Sequence, residues 1–236
     1  MTPVGQRTLG WEPIWREHGA GWELQPPDPK VVELARLLKD EGGRRVHDLG
    51  CGLGRHLLLL AAEGFEAYGS DISPTAVATC RRRLREAGLS ATLTRTEMAA
   101  IPQPDGFFDA VIAWNVLYHA TTAEILRAVC GLRTKLRQGG LLLATFISTA
   151  DGQCARSRRL VAEGRAEELE PGTFVIPGDA VTDKALPHHY STDVEVREQF
   201  LQGFQVLSLE EERHEPADFE GRRYRSAHWQ VLARKA

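Results

Sequence analysis

The sequence is poor in sulfur, with four cysteines and two methionines in 236 residues. Cys51, Cys80, Cys130 and Cys154 stand far apart with no Cys-x-x-Cys pair. That excludes a zinc ribbon or a disulfide framework, gives no metal ligand set, and suits a reducing cytoplasm. Long apolar runs are missing as well. The longest, Leu57 to Ala62, falls far short of the ~20 residues of a membrane helix, so no membrane association is expected. The opening residues Met1 to Arg7 lack a basic stretch followed by an apolar one, so no secretory leader is expected. Nor does one charge dominate: 29 Lys and Arg against 32 Asp and Glu give a formal charge of -3. Nothing there attracts a phosphate backbone or an anionic lipid surface in general. What is present is ordinary globular material, 42% hydrophobic and 26% charged, ample for a self-supporting core. At ~150 residues per domain the length corresponds to about 1.6 domains.

Residues 1–28 are irregular and carry Trp11, Trp15 and Trp22. Three indoles in such a segment need something to cover, which points to a lid. Regular structure is expected from Asp28-Pro29, an N-cap followed by proline at the first helical position. From there strands alternate with helices. Strands are expected at Arg45–Asp48, Ala67–Ser70, Thr92–Thr94, Phe108–Ala113 and Leu141–Ile147. Ser73-Pro74 and the Thr121/Glu124 capping box open two of the intervening helices. The fold class is therefore α/β, a doubly wound, mostly parallel sheet. Two later runs, Phe204–Leu209 and Ala227–Ala233, are joined without a helix pattern and add an antiparallel last strand. The sum is seven strands in a single domain, 1–236. Residues 149–190 show no periodic element, and so long a stretch is expected to be a functional insertion over a ligand.

The informative segment is Asp48-Leu49-Gly50-Cys51-Gly52-Leu53-Gly54-Arg55. A strand ends in an acid, three glycines follow at alternate positions, and a helix begins. Glycine there permits a sharp turn and lets a ligand lie directly on main chain. A dinucleotide fingerprint needs a third glycine where Arg55 stands, which argues against a nicotinamide-dependent oxidoreductase. A second acid, Asp71, ends the second strand, followed by Ile72, and is placed to accept hydrogen bonds from ribose hydroxyls.

On these residues the chain resembles the class I S-adenosylmethionine-dependent methyltransferases, over most of its length. Asp48 to Gly54 matches that family's first signature and Asp71 its second-strand acid. Glu97-Met98 stands where many members contact adenine. Asp105 to Val111 resembles the fourth-strand signature, and Leu136-Arg137-Gln138-Gly139-Gly140 the turn before the fifth strand, with Gln138 where proline is usual. The tryptophans and Pro187-His188-His189-Tyr190 are similar to small-molecule members of the tellurite-resistance type.

The resemblance implies S-adenosyl-L-methionine as cofactor and a small-molecule acceptor. It implies cofactor contacts at Asp48, Gly50, Cys51, Gly52, Gly54, Asp71, Ile72, Glu97 and Met98, with Ala113, Trp114 and Asn115 offering backbone groups to the methionine end. Tyr118, His119, His188 and His189 are the candidate catalytic residues, as pocket walls or general bases. Adjacent histidines on a strand point to opposite faces, so a shared metal at 188 and 189 is disfavoured. The run Arg81-Arg82-Arg83 with Arg85 fits a solvated helix face. A nucleic-acid methyltransferase is the alternative. However, Asn115-Val116-Leu117-Tyr118 stands where amine-methylating enzymes of that kind carry an Asn/Asp-Pro-Pro-aromatic tetrad. A silent cofactor-binding module is another alternative. Monomer and homodimer are both open.

Overall fold

The computed structural model describes residues 10–17, 25–177, 185–219 and 222–236, without the side chains of 215–219 and 222–224. Residues 1–9 and 18–24 of the expected 1–28 segment, Trp22 among them, and residues 178–184 of the 149–190 stretch lie outside the described residues.

A helix, α1, covers residues 10–17. Helix α2 (Pro29–Asp40) opens as expected, with the Asp28 carboxylate accepting from the Lys30 amide at 3.0 Å. Its buried stripe is Val31, Leu34, Ala35 and Leu38. The alternating part follows: β1 (Arg45–Leu49), α3 (Arg55–Ala62), β2 (Glu66–Asp71), α4 (Pro74–Glu86), β3 (Thr92–Arg95), β4 (Phe108–Ala113), α5 (Thr122–Lys135) and β5 (Leu136–Ser148). Both expected caps form: Ser73 accepts from the Ala76 amide, and Thr121 and Glu124 make a reciprocal capping box.

The main sheet runs β3-β2-β1-β4-β5, all parallel, and continues through β10 (Arg222–Lys235) to β9 (Phe204–Phe219). Strand β10 is antiparallel to both its neighbours. These are the seven expected strands. The two last ones are much longer than the expected 204–209 and 227–233, because paired main chain continues the ribbon past the apolar run into Glu210, Glu211 and Glu212.

Strand β4 shows why its sequence reads as continuously apolar. Ala110 and Ile112 face a layer built with α2, α3 and α4, while Val111 and Ala113 face one built with α5. Both faces are covered, so nothing in the strand needs to be polar. Each fully buried Leu, Ile or Phe of these layers contributes about 1.5–3 kcal/mol.

The expectation of no regular element in 149–190 is overturned. Helix α6 (Gly152–Ala162) and strands β6 (Glu167–Glu170), β7 (Thr173–Val175) and β8 (His188–Ser191) occupy it. Asp151 caps α6 through the Gln153 amide at 2.7 Å, but only Cys154, Ser157 and Leu160 are buried. A stripe so narrow, among arginines, leaves little periodic signal. The three strands form a small antiparallel sheet that joins β5 in parallel at Ile147↔Tyr190 and Ser148↔Ser191. Since β10 holds the other side of β5 at Ile147, β8 must lie on the β4 side, just beyond the end of β4. The insertion therefore projects over the carboxyl ends of the parallel strands, where ligands bind in this class of fold. After it, the helix capped by Thr192 is short: α7 (Asp193–Glu195) passes into one π-turn, Val196–Phe200. Among the described residues no helix is long and apolar enough to cross a membrane.

Candidate active site

The loop between β1 and α3 turns through left-handed backbone at Gly50 (φ 63°) and Gly52 (φ 52°), which side-chain-bearing residues adopt only at a cost. Space is equally short. A Cβ on Gly50 would run into the methyls of Val116, and one on Gly52 would stand 2.8 Å from the Trp15 ring. The Arg83 guanidinium braces the loop by donating to the Leu53 carbonyl at 2.7 Å.

Two carboxyl groups lie beneath this loop. Asp71, 7% exposed, accepts from the Gly52 amide and from the Ser73 amide, both at 2.9 Å. Burial nevertheless pushes its carboxyl up to about 6, against those backbone hydrogen bonds. Asp48 is 2% exposed, and its Oδ2 has no hydrogen-bond partner among the described residues. Burial raises it to about 7, with the Asp71 charge adding to the rise and Arg55 opposing it. A pair of buried acids with an orphaned oxygen is an environment that a cation would relieve.

Beyond β4 the backbone is unusual again. Asn115 has φ 58°, the one described non-glycine residue at positive φ. It is held by Thr145 of β5, whose hydroxyl accepts from the Asn115 amide (2.8 Å) and donates to its Oδ1 (3.1 Å). Such strained residues cluster at functional sites.

A cleft open to solvent runs past Gly50, Asp71 and Asn115. It is lined by Asp71, Ile72, Thr96, Glu97 and Met98, and by Gly50, Asn115 and Val116. His119, Trp11 and Trp15 complete its described lining. Helix α1 lies across it. Trp11 and Trp15, one turn apart, stack with ring centres 6.4 Å apart. Between them Glu12 accepts from the Ser73 hydroxyl (2.6 Å), the Thr75 amide (3.3 Å) and the Thr75 hydroxyl at the start of α4.

Of the residues singled out from sequence, Gly50, Asp71, Ile72, Glu97, Met98, Asn115 and His119 meet around this one cleft. The Cys51 and Trp114 side chains turn instead into the layer under α2 and α3, where Trp114 meets His56 edge-on. Tyr118 and His188 stand behind His119, at 4.3 and 4.6 Å between ring centres. His189 faces away: its Nδ1 pairs with the Thr173 hydroxyl (2.7 Å) and its Nε2 with Glu195 (3.1 Å). That network joins β7, β8 and α7 to each other rather than to the cleft. Among the described residues no cluster of three or more His, Cys, Asp or Glu could hold a metal ion.

Sequence reasoning missed Glu12, Thr145 and His228. Glu12 carried a signal, a carboxylate between two indoles at helical spacing. So did Thr145, the one hydroxyl in an apolar strand. His228, with its ring centre 5.7 Å from Tyr118, gave none.

Residues 46–140 match the family described as "Methyltransferase domain". The chain is similar to the ubiquinone biosynthesis O-methyltransferase of Methylocella silvestris (32% identity, 45% of this chain and 41% of the relative). It is also similar to the demethylmenaquinone methyltransferase of Thermus thermophilus (36%, 48% and 50%). A third relative is the tRNA (carboxymethyluridine(34)-5-O)-methyltransferase of Mus musculus (30%, 62% and 22%). The chain thus spans half or less of the length of these curated relatives. Among solved structures, an S-adenosylmethionine-dependent methyltransferase of Methanosarcina mazei superposes with a TM-score of 0.70 at 18% identity, over 89% of this chain and 99% of that one. TehB from Haemophilus influenzae superposes at 0.64 and 18% identity, over 89% and 63%. Both likenesses establish the fold.

Proposed function

We propose that this chain, whose residues 46–140 match a methyltransferase-domain family, transfers a methyl group from S-adenosylmethionine to a small-molecule acceptor. The observation that carries the reading is the cleft itself. Gly50 and the buried Asp71 share its lining with the Trp11 and Trp15 indoles and the His119 imidazole. The fit to this cofactor rests on the orphaned Asp48 oxygen, which offers a partner to a cationic ligand, and on the cradle that a Cβ at Gly50 would fill.

The cofactor supplies a methyl group already activated on a sulfonium, so the protein's task is to bind, align and keep water out. Asp71 has acceptor capacity left beyond its two amide bonds and takes the ribose hydroxyls. Ile72, Glu97 and Met98 enclose the adenine. Gly50, Gly52 and Gly54 bring main chain against the methionine portion, and Asp48 answers its positive charge. Asn115, fixed by Thr145, sets the β4 edge of the same pocket. Trp11 and Trp15 on α1 act as the lid, and the 149–190 insertion covers the acceptor end.

The relatives include a tRNA-modifying enzyme, yet two features favour a small acceptor. No lysine or arginine occurs among the described residues lining the cleft, and the formal charge is -3, whereas nucleic-acid binding draws on clustered cations. The test uses S-adenosylmethionine carrying a tritiated methyl group. The enzyme is incubated separately with a low-molecular-weight cell extract and with unmodified bulk tRNA. Label is expected in the small-molecule fraction; incorporation confined to tRNA refutes the proposal.

A further inference from the structure

The acceptor end of the cleft is a convergence of rings from four separate parts of the chain. Trp11 comes from α1, Tyr118 and His119 from the segment after β4, His188 from β8 and His228 from β10. His119 is the hub. Its ring centre lies 4.3 Å from Tyr118, 4.6 Å edge-to-face from His188 and 4.7 Å edge-to-face from Trp11. Tyr118 in turn lies 5.7 Å from His228. Of the three histidines, only His119 also lines the cleft, where it shares the wall with Asn115 and Val116. We propose that the cleft wall formed by Trp11 and His119, backed by this ring cluster, is the acceptor site, that its acceptor is a planar aromatic compound bearing a hydroxyl group, and that His119 receives the hydroxyl proton. The proposal rests on the methyl-transfer reading above.

The walls select the shape. The flat Trp11 and Trp15 indole faces suit an aromatic ring, which stacks against them or meets them edge-on. With no lysine or arginine in the described lining, a phosphorylated or carboxylated acceptor would bury its charge without a counter-ion.

The imidazole selects the reacting atom. An aromatic amine attacks with a lone pair it already carries. A thiol ionises near 8.5 and needs little help. An aromatic hydroxyl, ionising near 10, is the acceptor for which a base beside the oxygen matters at neutral pH. In the transfer, the oxygen forms its bond to the methyl carbon as the carbon–sulfur bond breaks. The electron pair of the broken bond remains on sulfur, and the hydroxyl proton moves to His119 and then to solvent.

His188 is a positioning residue. It is 1% exposed, and its Nδ1 lies 2.9 Å from the Leu186 carbonyl. A carbonyl only accepts, so Nδ1 carries a proton. That hydrogen bond fixes the ring that backs His119 from inside the protein.

The test reads ionisation directly and requires no turnover. The probe is 4-nitrocatechol, whose phenolate absorbs visible light, titrated with pH on the protein saturated with S-adenosylhomocysteine. Saturable binding is expected, with ionisation of the bound probe shifted down by about one pH unit. His119→Gln should abolish the shift while S-adenosylhomocysteine binding persists. His188→Ala should diminish it, and His188→Asn, which keeps an N–H for the Leu186 carbonyl, should restore it. The proposal is overturned if the probe does not bind the complex, if its ionisation is unchanged on binding, or if His119→Gln retains the shift. If S-adenosylhomocysteine itself fails to bind, the methyl-transfer reading fails and this proposal falls with it.

Discussion

Binding of S-adenosylmethionine should expel protons from the two acids under the glycine loop. Without ligand, Asp48 titrates at about 7 and Asp71 at about 6. At pH 6.5 Asp48 is then about 76% protonated and Asp71 about 24%, roughly one proton between them. A cation brought within ~4 Å of a buried carboxylate is worth ~4 kcal/mol at an effective dielectric constant of 20, or about 3 pH units. That suffices to ionise Asp48 fully at pH 6.5. Because the ligand-bound state binds fewer protons, affinity must rise with pH from about 5 to about 8 and then level off. The assay is isothermal calorimetry at pH 6.5 in two buffers of very different ionisation enthalpy. The slope of observed heat against buffer enthalpy counts the protons released. Because released protons are taken up by the buffer, a slope near minus one is expected at pH 6.5 and one near zero at pH 8.5, while Asp48→Asn should leave only about -0.2 at the lower pH. Saturable binding with no buffer dependence at pH 6.5 would refute the reasoning, since the acids would then keep their protons beside the ligand.

Further outcomes follow from single contacts. Asp71→Ala should weaken cofactor binding by about 2–4 kcal/mol with the fold intact; an unchanged dissociation constant by calorimetry means the ribose is held elsewhere. Glu12→Ala removes three acceptor contacts to the start of α4 and should cost about 1–2 kcal/mol of cofactor affinity, seen mainly as faster release in stopped-flow. No change in the release rate would mean that α1 is not latched there. Gly50→Ala drives a Cβ into Val116 and should abolish measurable cofactor binding. The double variant with Val116→Ala should recover part of it, and strict additivity in this cycle would locate the defect in the backbone instead. Asp151→Ala strands two amides, those of Gln153 and Ala227, and should cost about 2–4 kcal/mol of stability, followed as a drop in urea midpoint.

The glycine-loop side of the cleft was legible because its signals are local. Asp48, the alternate glycines and Asp71 each sit at or just past a strand end, and strand ends show in sequence as an apolar run meeting a turn. The ring cluster around His119 was legible as residue types but not as places. His188 and His189 are neighbours in sequence, and only the register of β8 beside β5 decides which one meets His119. His228 reaches Tyr118 because β10 pairs residue by residue with β5, a long-range fact with no local trace. Helix α6 was invisible for a different reason. It is held by the Asp151 cap and three small or isolated buried positions, so its stability comes from tertiary contacts rather than from an amphipathic pattern.

Strand β5 serves as a ruler between the two halves. Thr145 grips Asn115 on the cofactor side, and three residues later Ser148 pairs with Ser191 of the insertion. At ~3.3 Å per residue, that sets the two anchor points about 10 Å apart along a single covalent, fully paired strand. The spacing has no joint in it that could stretch or slip. On the proposed reading, alterations within residues 149–190 would reshape what the acceptor pocket admits, while the distance at which an acceptor meets the methyl group would stay engraved in the central sheet.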